Sequence, residues 1–244
     1  DGEWPSYAAD AGSTKYTSLG QIDADNFEQL EVAWRWTSID RDLDLEAILG
    51  DGAEDISFGR LQATPLMIDG VLYMITALNQ VAALDAFTGE LLWAFDPQAY
   101  LSGHSISPLG YHHRGVAYCS DEEKARILFA TNDGYLFSLD SDTGEPDTAF
   151  AGGRIDMTDG IPRADRDVLD YSGAVPLGTV SPVIVVGDVL VVNQITSNRP
   201  HYKERPPTWV RGYNIRTGEL IWTFHTIPQG GEFGADTWQE ESWR

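Results

Sequence analysis

One stretch, Val81-Ala-Ala-Leu-Asp-Ala-Phe-Thr-Gly-Glu-Leu-Leu-Trp-Ala-Phe95, limits what this chain can fold into more than any other. Two short β-favouring runs flank Asp85-Ala-Phe-Thr-Gly89, and the second run carries Trp93. In the corner, the Asp and Thr side chains can bond their own backbone and the glycine can take a positive φ. The stretch therefore reads as strand, turn, strand. It recurs as Gly212-Tyr-Asn-Ile-Arg-Thr-Gly-Glu-Leu-Ile-Trp222, and in weaker form as Ser138-Leu-Asp-Ser-Asp-Thr-Gly-Glu-Pro146. A sequence that repeats one turn and one Trp is that of a repeat protein.

The surrounding residues divide into units. The first, about 60–96, begins at Gln62-Ala-Thr-Pro65 and continues through Leu66-Met-Ile68, a turn at Asp69-Gly70 and Val71-Leu-Tyr-Met-Ile75. A turn pair between two β-rich runs is a hairpin signal. The last unit, about 179–224, repeats the order: Ser181-Pro182, Val183-Ile-Val-Val186, a turn at Gly187-Asp188, Val189-Leu-Val-Val192, and then the motif. Its extra residues fall in the Pro-rich Asn198–Thr208 loop. The middle unit, about 114–146, holds Gly115–Tyr118, Ala125–Thr131 and Tyr135–Leu139, followed by an irregular acidic connection over Asp147–Leu177. Ahead of them, residues 1–36 close on Leu30-Glu-Val-Ala-Trp-Arg-Trp36, which alternates like a strand, and a short helix is expected at Leu43–Leu49. The motif threonines lie 55 residues apart (88 to 143) and then 74 (143 to 217). Four-stranded units at such loose spacing fit β-propeller blades better than a sandwich. Residues 1–244 are thus expected to form a partial all-β propeller of about three and a half blades, with a loop over 225–244.

Composition excludes several functions. Lys+Arg 16 against Asp+Glu 38 leaves a net charge of -22, which repels nucleic acid and anionic lipid. Cys119 is the sole cysteine, so no intrachain disulfide can form. The longest apolar run, Val183 to Val192, is interrupted by Gly187-Asp188 and is too short for a transmembrane segment. The five histidines show no metal-ligand spacing, and His112-His113 would face opposite sides of a strand. No nucleotide-type Gly-rich loop and no Ser/His/Asp grouping stands out. A start at Asp1 rather than Met is compatible with a removed leader.

These motifs resemble the pyrroloquinoline quinone (PQQ) dehydrogenases, eight-bladed propellers whose blades carry Ala-x-Asp-x-x-Thr-Gly-x-x-x-Trp. The resemblance extends to Trp4-x-x-Tyr7, Tyr16-x-x-Leu19, Phe224-His-Thr-Ile-Pro228 and Gly231-Glu-Phe-Gly234. Thr148-Ala-Phe150 and Gly153-Arg-Ile-Asp156 point to the glucose-dehydrogenase-like branch. It covers about Trp4 to Trp243 and implies the N-terminal half of the ring.

The resemblance also implies a site. Arg114, in Tyr111-His-His-Arg-Gly-Val-Ala-Tyr118, matches the arginine that pairs a carboxylate of this flat tricarboxylate cofactor. A planar, permanently charged fork suits that task. Thr179, in Thr179-Val-Ser-Pro182, matches a threonine whose hydroxyl bonds the cofactor edge, and Gln62 a Glu or Gln position near it. Trp238 matches the indole under the quinone ring. Asn198 stands where the family has a carboxylate on Ca²⁺, and an amide oxygen ligates calcium without offsetting its charge.

The implied protein is a periplasmic PQQ- and Ca²⁺-dependent dehydrogenase, or its N-terminal half, oxidising an alcohol or sugar hydroxyl. In that reaction a base takes the hydroxyl proton, hydride passes to the quinone C5 carbon, and Ca²⁺ polarises that carbonyl. The expected partners are the substrate, the missing half of the propeller or a second chain, and an electron acceptor such as cytochrome c or a quinone. The family's catalytic Asp falls beyond Arg244, so no base is assigned. The alternative is a cofactor-free propeller of the same repeat acting as a protein-binding scaffold, which the Asn193–Asn198 run favours.

Overall fold

The structure, a computed structural model, describes residues 2–10, 12–57, 61–103, 105–107, 109–162, 177–196 and 206–238. Three four-stranded antiparallel sheets follow one another along the chain. The first holds β1 (Leu66–Ile68), β2 (Val71–Ile75), β3 (Val81–Asp85) and β4 (Leu91–Phe95) in that order. The second holds β5 (Ala117–Ser120), β6 (Ala125–Ala130), β7 (Tyr135–Asp140) and β8 (Arg154–Asp156). A two-residue strand, β9 (Leu177–Gly178), precedes the third sheet, which holds β10 (Ile184–Val186), β11 (Val189–Asn193), β13 (Val210–Asn214) and β14 (Leu220–Phe224). β9 pairs with β12 (Ile195–Thr196) in a small sheet that the sequence did not reveal. One short helix, α1 (Leu45–Leu49), forms where expected, and the Asp44 carboxylate caps it by accepting the Ala47 N–H at 3.0 Å.

Local chemistry explains the hairpins. Asp69 (φ 49) and Gly70 (φ 80) both take positive φ, as a tight β1–β2 turn that matches strand twist requires. At the repeated corner, Asp85 Oδ1 accepts the N–H of Phe87 (2.9 Å) and Thr88 (2.7 Å). Asp140 accepts from Asp142 and Thr143 at 3.0 and 3.1 Å, and Asn214 from Arg216 and Thr217 at 2.9 and 3.0 Å. Each glycine donates back to the first residue of its turn at 2.8–2.9 Å, with φ of 74, 74 and 73. The three corners are one device, built twice with Asp and once with Asn.

The sheets stack face to face. Between the first and second lie Leu66, Tyr73, Ile75, Ile127, Phe129 and Phe137. Between the second and third lie Leu128, Leu136, Phe150, Leu190, Val192 and Tyr213. The Trp of one unit closes on the glycine corner of the next. Trp93 Nε1 donates to the Ser141 carbonyl at 2.9 Å, and a Cβ on Gly144 would sit 2.5 Å from its ring. Trp34 repeats this contact on the first sheet, donating to the Ala86 carbonyl at 3.1 Å and covering Gly89.

Two expectations need correction, and two motif residues sit differently from their counterparts. Leu30–Trp36 forms no strand, because its backbone finds no strand edge to pair with among the described residues; only Trp34 behaves as its counterparts do. The middle unit ends at β8 rather than at 146. Pro146 has no N–H for a ladder, so the chain makes one bridge to Leu139 there and returns later to pair with β7. That unit also lacks a Trp, and Ala151 and Ile155 cover Gly218 instead. Trp222 packs between no two sheets. It lies over Gly212 of its own sheet and is 38% exposed, on a face where Ile184, Val186 and Phe224 are also open. Arg216, by contrast, is more engaged than a motif-turn residue should be. It reaches Asp121 of the second sheet and Asp188 of the third, each at 3.0 Å.

Candidate functional site

The approach to each sheet's first strand is irregular, and these approaches are stitched together by backbone. Thr64, just ahead of β1, donates its N–H to the Arg114 carbonyl at 2.9 Å; Arg114, ahead of β5, donates to the Val180 carbonyl at 3.0 Å, ahead of β10. A second row runs through the loops after β2 and β6. Asn79 Oδ1 accepts from the backbone and side-chain amides of Asn132 at 2.8 and 3.0 Å. Asn132 also donates to the His112 carbonyl at 3.2 Å, and Thr179 donates its N–H to the Thr131 carbonyl at 3.0 Å. Three sheets thus converge on Arg114 and Thr179, two residues far apart in sequence.

Arg114 is half-buried. Its guanidinium makes one long bond, Nη1 to Ser181 Oγ at 3.4 Å, and meets no carboxylate at ion-pair distance among the described residues. Arg126 and Arg216 show what other arginines in this acidic chain do, pairing with Asp121 at 3.0 Å and with Asp147 or Asp188. Thr179 is buried, and its Oγ1 accepts the Ser181 N–H at 3.3 Å, which leaves the hydroxyl proton to donate elsewhere. Gln62 is exposed, two residues ahead of the Thr64 that holds Arg114.

Trp238 stands apart from these three. It follows a single 3₁₀ turn at Ala235–Thr237 and is 38% exposed, and no hydrogen bond or ring contact joins it to Gln62, Arg114 or Thr179 among the described residues. Asn198 lies outside the described residues. Among those described, no group of three or more His, Cys, Asp or Glu is placed to hold a metal ion.

Three participants escape a sequence reading. Ser181 reads only as a strand-start residue matching Thr64, yet it is the side chain Arg114 touches. Gly115 has φ 154, and a Cβ there would lie 3.2 Å from the Thr64 carbonyl oxygen and 3.4 Å from Pro182 Cγ. His113 is 1% exposed, and its Nδ1 accepts the Gly115 N–H at 3.2 Å. Burial, with His112 and the Arg114 charge adding to it, pushes its pKa down to about 3, so the ring is neutral near pH 7. The signal available was the tetrad His112-His-Arg-Gly115, in which a glycine directly follows the charged residue.

Stacked four-stranded antiparallel sheets with strand-turn-Trp corners define a β-propeller, with Arg114 held where the first strands converge. Within that class the chain belongs to the family described as "PQQ: Glucose/ethanol/alcohol dehydrogenase, beta-propeller domain", whose model matches residues 4–244. It is 28% identical over 244 residues to quinoprotein glucose dehydrogenase A of Acinetobacter calcoaceticus, covering 93% of this chain and 28% of the relative. It is 30% identical over 228 residues to quinohemoprotein alcohol dehydrogenase ADH IIB of Pseudomonas putida, covering 93% and 26%. The solved quinohemoprotein alcohol dehydrogenase of Comamonas testosteroni shares the fold at TM-score 0.68 and 23% identity, over 91% of this chain and 27% of that one. The chain therefore spans about a quarter of the length of these relatives. No helix among the described residues is long and apolar enough to cross a membrane.

Proposed function

We propose that this chain is part of a quinoprotein dehydrogenase that oxidises an alcohol or sugar hydroxyl, with PQQ bound where the three inner edges meet. The observation that carries the reading is Arg114, stitched by its backbone to two other sheets, with a half-buried guanidinium that has no anionic partner among the described residues. A half-buried cation with no anionic partner among the described residues, in a chain of net charge -22, suits an external anion, and a carboxylate matches its fork. Thr179, with its proton free to donate, supports a second contact to an acceptor on the same ligand. The donor set fits PQQ.

Bound PQQ supplies an electrophilic quinone that accepts a hydride. The chain's part is to bind and orient it. Arg114 pairs a carboxylate, Thr179 donates to the rim, Gln62 lines the approach, and Trp238 offers an indole face. The described residues supply no metal-ligand cluster for Ca²⁺, and no step is derived through a metal. Asn198 remains the proposed ligand from sequence. The whole protein would be periplasmic and work with the remaining blades and an acceptor such as cytochrome c or a quinone.

Titration of the chain with PQQ tests the reading. Arg114→Ala should weaken binding by about tenfold or more, since a hydrogen-bonded charge contact is worth about 1.5–3 kcal/mol. Arg35→Ala, on an exposed residue, should leave it unchanged. Equal losses would remove Arg114 from the site, and no PQQ uptake by the wild-type chain would favour a cofactor-free scaffold.

A further inference from the structure

We propose that His113 is the positioning residue of this site: its imidazole holds the Arg114–Gly115 peptide from beneath and fixes the direction in which the Arg114 guanidinium points. The inference rests on the reading of Arg114 as the carboxylate partner, and adds to it a residue that no motif singles out.

Arg114 is held by backbone on two sides, through Thr64 and Val180. The Arg114 carbonyl and the Gly115 N–H belong to one planar peptide, so the Thr64 bond holds that peptide at its carbonyl end. The other end of the same peptide is held where the Gly115 N–H donates to His113 Nδ1 at 3.2 Å, and this second hold stops the plane tilting about the first. The turn is too tight for a distant acceptor, because Thr64, Pro182 and Tyr7 crowd the Gly115 Cα within 3.6 Å of a Cβ position. The acceptor comes from the residue just before the arginine, at 1% exposure and without water.

The chemistry of that acceptor matters for Arg114. An Asp at position 113 could accept the same N–H, but its charge would compete with any incoming carboxylate for the guanidinium of the next residue. A neutral imidazole supports the peptide and leaves the arginine's charge for the ligand. The tautomer follows from geometry. Nδ1 accepts, so the proton sits on Nε2, which is buried, beside the Ala130 backbone, with no partner at hydrogen-bond distance among the described residues. With a pKa of about 3 the ring stays neutral through the physiological range, so Nδ1 remains an acceptor.

Two substitutions separate positioning from bulk. His113→Asn places Oδ1 on Cγ, where Nδ1 now stands, and keeps an acceptor; His113→Leu removes it and keeps an apolar side chain. Three measurements are made on the whole chain: hydrogen exchange of the Gly115 amide without cofactor, PQQ affinity by titration, and the ¹⁵N signals of His113 from pH 5 to 8. Loss of one hydrogen bond should speed Gly115 exchange and weaken PQQ binding by about fivefold to tenfold in His113→Leu. His113→Asn should restore both to within about threefold of wild type. The ¹⁵N signals should show one unchanging Nε2–H tautomer.

The proposal is overturned if both variants lose protection and affinity equally, which would make His113 a packing residue, or if His113 titrates between pH 5 and 8. Should His113→Leu fail to fold, exchange in His113→Asn and the tautomer still decide the matter. If Arg114→Ala leaves PQQ affinity intact while Gly115 exchange responds to His113 as described, the peptide anchor stands and the cofactor reading falls. If Arg114→Ala weakens binding and His113→Leu does not, only the positioning role falls.

Discussion

Substitution of Gly144 by Ala probes the contact that spaces the sheets. Gly144 has φ 74, and an Ala there adopts the left-handed region at about 1–2 kcal/mol. Its Cβ would also lie 2.5 Å from Trp93 Cε3 and 2.7 Å from Cδ2, an overlap that a planar ring anchored at 2.9 Å to Ser141 cannot relieve by rotating. Overpacking of this kind costs about 1–3 kcal/mol more. The expected loss is about 2–5 kcal/mol in total. Gly187 provides the control, since it has φ 57 and nothing within 4 Å of its Cβ position; Gly187→Ala should lose only the backbone share, about 1–2 kcal/mol. In a Trp93→Leu background the clash is gone, and Gly144→Ala should fall to the control value, giving a coupling of at least about 1 kcal/mol. Urea denaturation of the four variants and wild type measures this. Equal losses at Gly144 and Gly187, or no coupling to Trp93, would refute the claim that the indole on the glycine corner holds the first two sheets together.

Other consequences are testable on the same chain. Trp238→Ala should lower PQQ affinity and leave the cofactor-free melting point unchanged, because the indole is 38% exposed and outside the sheet cores, whereas Trp93→Ala should destabilise by about 3–5 kcal/mol in calorimetry. Asp121 is held down at about 2 by the Glu123 and Lys124 N–H groups, with Arg126 and Arg216 adding to them. A depressed folded pKa means stability that is present above the unfolded value near about 4 and lost as pH falls towards 2, so Asp121→Asn should flatten the fall in urea midpoint across that window. The open face of the third sheet should bind a hydrophobic dye, and Phe224→Lys should reduce that signal at little cost in stability, whereas Leu190→Lys, on the buried face, should unfold the chain.

The repeat was legible because it is local chemistry. Asp85, Thr88 and Gly89 bond to one another within five residues, so their pattern survives in sequence as it stands, and the hairpin turns at Asp69-Gly70 and Gly187-Asp188 were readable for the same reason. The strand β8 was hidden because its place is set by the partner strand β7 across a detour of Pro146 to Gly153, and short-range pattern carries no trace of that pairing. Leu30–Trp36 misled in the opposite direction, since alternation describes a side chain's facing but not whether an edge is present to receive it. At the site, Arg114 and Thr179 stood out through family likeness, yet their adjacency rests on backbone bonds across 66 residues, from Arg114 to Val180. His113 looked like one of two histidines on opposite strand faces. In fact neither lies in a strand, and both are buried.

The fold and the site depend on each other through the spacing of the sheets. At the outer edge the first two sheets are set by Trp93 on Gly144, and the second and third by a different set: Ala151 and Ile155 over Gly218, the Ala151 N–H to Thr217 carbonyl bond at 3.0 Å, and Arg216 reaching Asp121. At the inner edge the Thr64–Arg114–Val180 series spans both gaps at once. Arg114 is the common point, so a change in either outer contact alters the angle between two sheets whose inner ends it joins. The middle unit carries no Trp, and the Arg216–Asp121 ion pair bridges that gap beside the apolar contacts. The gap beside Thr179 therefore adds an ion pair to its apolar packing, while the gap beside Gln62 adds an aromatic contact. Salt should loosen the first and spare the second, because exposed ion pairs are screened and buried ring contacts are not. For a site built from an arginine on one sheet and a threonine ahead of the next, ionic strength then acts on its geometry as well as on the charge of its ligand.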